Sequence, residues 1–246
     1  DAIDEHMRAV DGHRYWGWPM WPEELRVPTH PGVQAFEQAH AGLVEFHAWL
    51  QWLADDQLGE AQALGRKLGM PIGLYGDYAV GVNPSGSETW SDQALYRKGA
   101  GVGAPPDALA LKGQDWGIPP QDPNVLMAEQ YRPFRNLVAA NMRHFGALRL
   151  DHVMALFRQW WVPAGLGSIA GGYVHYPLDD LMAVLVLESE RHGCLVIGED
   201  LGTVPPEMSH AMDDRAVYSY RVLLFAKRAD GSFSYTPAAN YNGPDS

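Results

Sequence analysis

Cysteine is nearly absent from this chain. One cysteine, Cys194, stands among 246 residues, which excludes an internal disulfide and fits a reducing cytoplasm as the expected compartment. Basic residues are also scarce: 18 Lys and Arg stand against 30 Asp and Glu, a net charge of −12. With no basic cluster, neither nucleic acid nor an anionic membrane is the expected partner. The longest apolar run, Leu181–Leu187, falls far short of the ~20 residues a membrane-spanning helix needs. Asp1 and Asp4 occupy the place where a secretory leader carries its positive charge. Several chemical signatures are missing too. No HExxH is present, and His40 and His47 lie seven apart, so no metal site is expected. No GxSxG occurs, and Cys194 sits in an apolar run as filler, so a serine or cysteine nucleophile is not expected either. Dinucleotide and phosphate fingerprints fail as well: "GAGVGA" at 99–104 lacks the GxGxxG spacing, and no GxxxxGK[ST] appears.

What the chain does have is aromatic side chains and an alternation of elements. Nine Trp and eleven Tyr exceed what a core needs, and aromatic faces stack on the C–H faces of sugar rings. Residues 11–32, rich in Pro, Gly and Trp, read as an irregular connection. A helical stretch follows Pro31-Gly32, with Leu43, Phe46, Leu50, Leu53, Ala61, Leu64 and Leu68 at helical spacing until Gly69. A strand is expected at Ile72–Tyr75, a long ordered loop or lid at 81–123, and a helix over Val125–Phe145. Pro177 opens another helix with Asp179 and Asp180 in its first turn. Strands at Cys194–Ile197 and Tyr220–Phe225 flank a short helix opened by Thr203–Glu207. Helix and strand in steady alternation indicate a parallel sheet with crossover helices. Asp77, Asp151 and Glu199 fall at the carboxyl ends of their strands, where a (β/α)8 TIM barrel keeps its chemistry. A doubly wound sheet would use the same end. The barrel is preferred for lack of a nucleotide fingerprint. About four strands are legible, so the expected fold is roughly half a barrel, with residues 1–246 forming one partial catalytic domain.

Two of these acids form a chemically meaningful pair. In "LRLDH" (148–152) Arg149 precedes Asp151, and in "LVIGEDLG" (195–202) Glu199 follows Gly198 with no adjacent cation. Cleaving a glycosidic bond needs one ionised carboxylate beneath the anomeric carbon and one carboxyl that protonates the leaving oxygen. A neighbouring guanidinium keeps Asp151 ionised, while Asp200 beside Glu199 favours the protonated form. The same residues also read as a structural ion pair and a helix-start acid.

Five blocks settle on one family: "IGLYGDYAVGVNPSGSETW" (72–90), "GAPPDALALKGQDWGIPPQDP" (103–123), "ALRLDHVMALFRQWWVP" (147–163), "YVHYPLDDLMAVLVLES" (173–189) and "LVIGEDLGTVPP" (195–206). In this order, over nearly the whole chain, they resemble the 4-α-glucanotransferases, or amylomaltases and disproportionating enzymes, which are relatives of the α-amylases. The resemblance implies that Asp151 is a nucleophile forming a covalent glycosyl-enzyme and that Glu199 is the general acid/base. It implies that Arg149 and His152 hold the sugar at the cleavage point. Asp77, Asp107, Gln114 and Trp116 would line the glucan groove, with Trp116 as a stacking platform and residues 81–123 as groove loops. The implied donors are α-1,4-glucans and the implied acceptors glucose or maltooligosaccharides, with no cofactor and no metal. The family's third acid, an aspartate in a histidine-aspartate motif, has no match here, so the chain resembles the middle of such an enzyme. An α-glucan hydrolase shares both carboxylates. A catalytically inactive glucan-binding module is the rival from another class.

Overall fold

The computed structural model describes residues 1–11, 17–108, 110–202, 204–219 and 222. Its strands are β1 (Tyr75–Tyr78), β2 (Ala100–Ala104), β3 (Gln114–Ile118), β4 (Ala147–Leu150), β5 (Arg158–Pro163), β6 (Gly172–His175), β7 (Leu195–Gly198) and β8 (Tyr218–Ser219). Its α-helices are α1 (Ala2–Asp11), α2 (Glu23–Arg26), α3 (Pro31–Ala39), α4 (Ala41–Lys67), α5 (Ser87–Ser91), α6 (Pro123–Ala128), α7 (Arg132–Met142), α8 (Leu178–His192) and α9 (Pro206–Asp213). The chain divides into two compact units. The first comprises Asp1–Ala61, Gly81–Ala128 and Trp160–Tyr173; the second comprises Gln62–Val80, Glu129–Gln159 and the described residues from Val174 on.

The second unit is built on a four-stranded sheet of order β1-β4-β7-β8, every neighbouring pair parallel. Parallel neighbours cannot be joined by a hairpin, so helices cross between them. Here α7 precedes β4, α8 precedes β7 and α9 precedes β8. The central strand β4 is short and apolar, with Ala147, Leu148 and Leu150 almost wholly buried, as a strand covered on both faces must be. Phe134, Val138 and Met142 of α7 and Leu181, Met182 and Leu185 of α8 supply the buried helix stripes. Arg149 is the exception in β4, partly exposed between buried neighbours. Just before β4, a Cβ on Gly146 would lie 1.8 Å from the Ile72 carbonyl oxygen, so only glycine lets these two backbones approach.

The element boundaries depart from the sequence expectations in instructive ways. The first strand runs Tyr75–Tyr78, not Ile72–Tyr75. Buried Gln62 in the last turns of α4 donates to the Ile72 carbonyl at 3.1 Å and accepts from the Leu74 amide at 2.6 Å. That side chain pins residues 72–74, and Asp77 consequently lies within the strand. Likewise β7 runs Leu195–Gly198, one residue beyond the expected strand. The single helix expected over Val125–Phe145 is two, α6 and α7, separated by Gln130 and Tyr131 at φ 52° and 58°. Pro133 explains the restart, since proline is tolerated only in a helix's first turn. The strand expected at Tyr220–Phe225 lies, Val222 apart, outside the described residues.

The first unit contains an antiparallel pairing of β2 with β3 and of β2 with β5, in a sheet of order β3-β2-β5-β6. Residues 81–123, expected to be loop, thus carry α5, β2 and β3 as well as connections. Glycine makes the pairing possible: a Cβ on Gly103 would stand 1.9 Å from the Gln114 carbonyl oxygen. Elsewhere in this unit Ile3, Met7, Trp18, Trp21, Leu25 and Phe36 form a buried cluster. Trp18 donates to Thr89 Oγ1 and Trp90 to the Leu25 carbonyl, each at 3.0 Å. Helix α4 forms as its periodicity predicts, yet Phe46, Trp49, Trp52 and Leu64 along it, and Leu68 just after it, are exposed.

Candidate active site

All the site geometry that can be built upward from the sheet lies at the carboxyl ends of β1, β4 and β7. In the parallel register Asp77 of β1 stands beside Arg149 of β4, and Arg149 beside Ile197 of β7. The Arg149 guanidinium is shared between two carboxylates, with Nη1 2.8 Å from Asp77 Oδ1 and Nη2 2.7 Å from Asp151 Oδ1. A planar fork suits this double engagement, which a lysine's point charge would not reproduce. The Asp77 side chain is 64% exposed, so its half of the bridge contributes ~0–1 kcal/mol at most. Its value is orientation: the guanidinium is aimed by one acid while it holds the other.

Beyond β4 the backbone turns sharply. The Asp151 amide donates to the Tyr78 carbonyl at 3.0 Å, and His152 takes a left-handed conformation at φ 50°, ψ 60°. That turn points the His152 amide at Glu199 Oε2, 2.9 Å away, while the Leu201 amide donates to Oε1 at 2.8 Å. The backbone of Glu199 is tied in as well, its amide donating to the Leu150 carbonyl at 2.8 Å and its carbonyl accepting from Val153 at 3.0 Å. Glu199 is 8% exposed, so both of its oxygens being hydrogen-bonded is what its burial requires. Gly198 sits in front of it because a Cβ there would meet Met212 Cε and Val153 Cγ2 at 2.9 Å. Each oxygen keeps a second lone-pair site beside its one amide bond, so the carboxyl can take up or give up a proton with both amides in place.

The His152 imidazole has its pKa lowered, chiefly because burial penalises the charged ring; the carboxylates of Glu199 and Asp151 pull it part of the way back. The neutral ring therefore persists into more acidic solution than an ordinary histidine's would. Cys194 is buried, and burial pushes its thiol up to about 11, so it offers no thiolate near neutral pH.

Of the residues singled out in the sequence, Asp77, Arg149, Asp151, His152 and Glu199 belong to the second unit and stand in this one network. Asp107, Gln114 and Trp116 belong to the first unit. Asp107 closes a turn, its Oδ1 accepting from the Ala110 amide at 2.6 Å, and the Trp116 indole donates to Gln114 Oε1 at 3.0 Å. The contributions that side-chain reasoning missed are the amides of His152 and Leu201. Among the described residues no group of three or more His, Cys, Asp or Glu is placed to hold a metal ion. Among them, too, no helix is long and apolar enough to cross a membrane.

Carboxylates at the carboxyl ends of neighbouring parallel strands fit an α/β-barrel type of fold. Comparison with known proteins agrees. The family model described as 4-alpha-glucanotransferase matches residues 5–243, and the chain belongs to that family. A 4-alpha-glucanotransferase of Haemophilus influenzae is 46% identical over 231 residues, covering 94% of this chain and 33% of the relative. The amylomaltase of Corynebacterium glutamicum superposes with a TM-score of 0.75 at 40% identity, over 77% of this chain and 27% of that one. Amylomaltase from Streptococcus agalactiae, solved in complex with acarbose, gives a TM-score of 0.83 over 98% of this chain and 49% of that one. At 18% identity that last likeness concerns the fold alone. The chain spans about a third of the length of the Haemophilus relative, and the half-barrel read from its sequence fits these TIM-barrel neighbours.

Proposed function

We propose that the chain provides the reacting centre of a retaining 4-α-glucanotransferase. The observation that carries this is the pair of unlike carboxyls at the ends of β4 and β7: Asp151 held by the Arg149 guanidinium, Glu199 held by two backbone amides. Asp151 attacks the anomeric carbon of an α-1,4-glucan, forming a covalent glycosyl-enzyme as the glycosidic bond breaks. Glu199, protonated at this stage, gives its proton to the departing sugar oxygen. The resulting carboxylate then takes the proton of an incoming 4-hydroxyl, from glucose or a maltooligosaccharide, and that oxygen displaces Asp151. Arg149 holds and aims Asp151, and His152 presents a neutral imidazole to the sugar. Asp77 orients Arg149. Asp107, Gln114 and Trp116 provide groove contacts, with Trp116 as a ring platform. The reading assigns no cofactor and no metal to the reaction, and it places the protein in the cytoplasm.

Role assignment is tested by Glu199→Gln, in this chain and in the Haemophilus relative with its matching region replaced by residues 5–243. α-Glucosyl fluoride has a leaving group that needs no acid, so the first half-reaction proceeds and the second stalls. An adduct on Asp151, seen by intact-protein mass and released by azide as an α-glycosyl azide, is expected. Turnover of maltotriose should fall by about 10²–10⁴-fold. An adduct on another residue, or normal turnover by the variant, refutes the assignment. Shorter products without longer ones from the unsubstituted chimera would make it a hydrolase.

A further inference from the structure

The entry to β1 is held by a side chain that no step of the proposed reaction uses. Gln62, in the last turns of α4, is 6% exposed. Its carboxamide donates to the Ile72 carbonyl and accepts from the Leu74 amide, at 3.1 and 2.6 Å. Gly73 lies between them at φ 73°, where a Cβ would stand 2.3 Å from Gln62 Oε1. The carboxamide thus fills the space that a side chain at 73 would need. Leu74 continues the chain of bonds, its carbonyl accepting from the Gly146 amide at 3.0 Å, one residue before β4. Gln62, β1 and β4 all belong to the second unit.

Strand β1 has little of its own to keep it in place. It lies at the edge of its sheet and is four residues long, "YGDY", with Gly76 its one buried residue. A strand that buries no side chain specifies its pairing weakly. Phe145 excludes the neighbouring registers. A Cβ on Gly76 would meet its ring at 2.8 Å, and a slip of one residue would bring Tyr75 or Asp77 into that place. A β1 released at its start therefore leaves β4 instead of pairing with it anew. Its departure breaks the row in which Asp77 stands beside Arg149. The guanidinium that holds Asp151 then loses the second carboxylate that aims it.

We propose that Gln62 is a positioning residue for glycosyl transfer, which seats β1 so that Asp77 can aim Arg149 at Asp151. The role rests on the proposed function, and the experiment separates the two. Adduct formation on Asp151 from α-glucosyl fluoride is timed in the Glu199→Gln background, in the full chain and in the Haemophilus chimera. Gln62→Met keeps the volume and removes both hydrogen bonds. It should slow the adduct by about ten- to 100-fold, the scale of an ångström's misplacement. Asp77→Ala should slow it similarly, and the double variant should be no slower than Asp77→Ala, because both changes act on one contact. Gln62→Glu keeps the acceptor for Leu74 and regains the donor for Ile72 when protonated. Its rate relative to the parent should recover as pH falls, and only where Asp77 is present. Where Gln62→Met does not fold, Gln62→Glu above that titration carries the same comparisons. A rate within twofold of the parent, or slowing that multiplies in the double variant, makes Gln62 a structural tie alone and overturns the proposal. Apart from any turnover, cross-strand NOEs between residues 75–78 and 147–150 of the full chain should weaken in Gln62→Met. If they persist unchanged, the proposal is overturned whatever the adduct does. Absence of the adduct with Gln62 and Asp77 intact overturns the transferase reading, while the NOEs still decide whether Gln62 seats β1.

Discussion

Replacing His152 by glycine in one variant and valine in another isolates what its backbone does. Both lose the imidazole, so any role of the ring cancels in the comparison. Glycine adopts φ 50° without penalty; valine, β-branched, pays about 1–3 kcal/mol to stay there. If valine instead relaxes to an ordinary φ, its amide swings off Glu199 Oε2 and leaves a buried oxygen without that hydrogen bond, at a cost of about 1–3 kcal/mol. Glycine's extra freedom when unfolded returns about 0.5–1 kcal/mol of this difference. The valine variant should therefore be locally weaker by about 1–2 kcal/mol. The tenfold-per-1.4 kcal/mol relation makes that roughly a 5- to 30-fold difference in opening. Amide hydrogen exchange at Val153 and Glu199, which are bonded to the Glu199 and Leu150 carbonyls, reads that opening directly. Exchange faster in valine than in glycine by that factor is expected. Equal rates within twofold refute the claim that the left-handed turn holds Glu199.

Gln62→Leu keeps the side-chain volume but strands the Ile72 carbonyl and the Leu74 amide. It should destabilise the second unit by about 2–4 kcal/mol, and a loss under 0.5 kcal/mol in urea unfolding would show that these bonds do not hold the entry to β1. The lowered pKa of His152 makes an acid-side prediction. The unfolded chain takes up this proton near the ordinary value of ~6.5 and the folded chain does not until lower pH. The stabilisation is thus complete above ~6.5 and is lost as pH falls toward the folded value. Between pH 7.5 and 5.5 the parent should lose more stability than His152→Asn, and parallel profiles contradict this.

The strands that carry the acids were legible because an apolar run cut off by a charged residue is a strong signal, and α8 announced itself through Pro177 and its acidic first turn. The register of β1 was not, because one buried glutamine captures residues 72–74 from a different element. Pro133 did mark the break between α6 and α7, but helical periodicity on both sides masked it. Strand β2 and the residue before it carry glycine at every second position, Gly99, Gly101 and Gly103. Glycine at that spacing weakens the apolar alternation that normally reveals a strand, even though it permits the close pairing. Helix α4 was correctly read as a helix, but periodicity reports a face and says nothing of what covers it. At the site, side chains could be nominated from the sequence; which main-chain amides meet Glu199 depends on the turn at His152.

That last point bears on how the site tolerates change over generations. Both donors that grip Glu199 are main-chain amides, and every amino acid except proline supplies one. Short of proline, substitution at 152 or 201 cannot delete the donor itself; it can only alter the dihedral angles that aim it. The acid's environment is therefore inherited as a backbone path. Residues around it are free to drift wherever that path is kept, and constraint concentrates on the few positions, Gly198 among them, where the path leaves no room for a side chain.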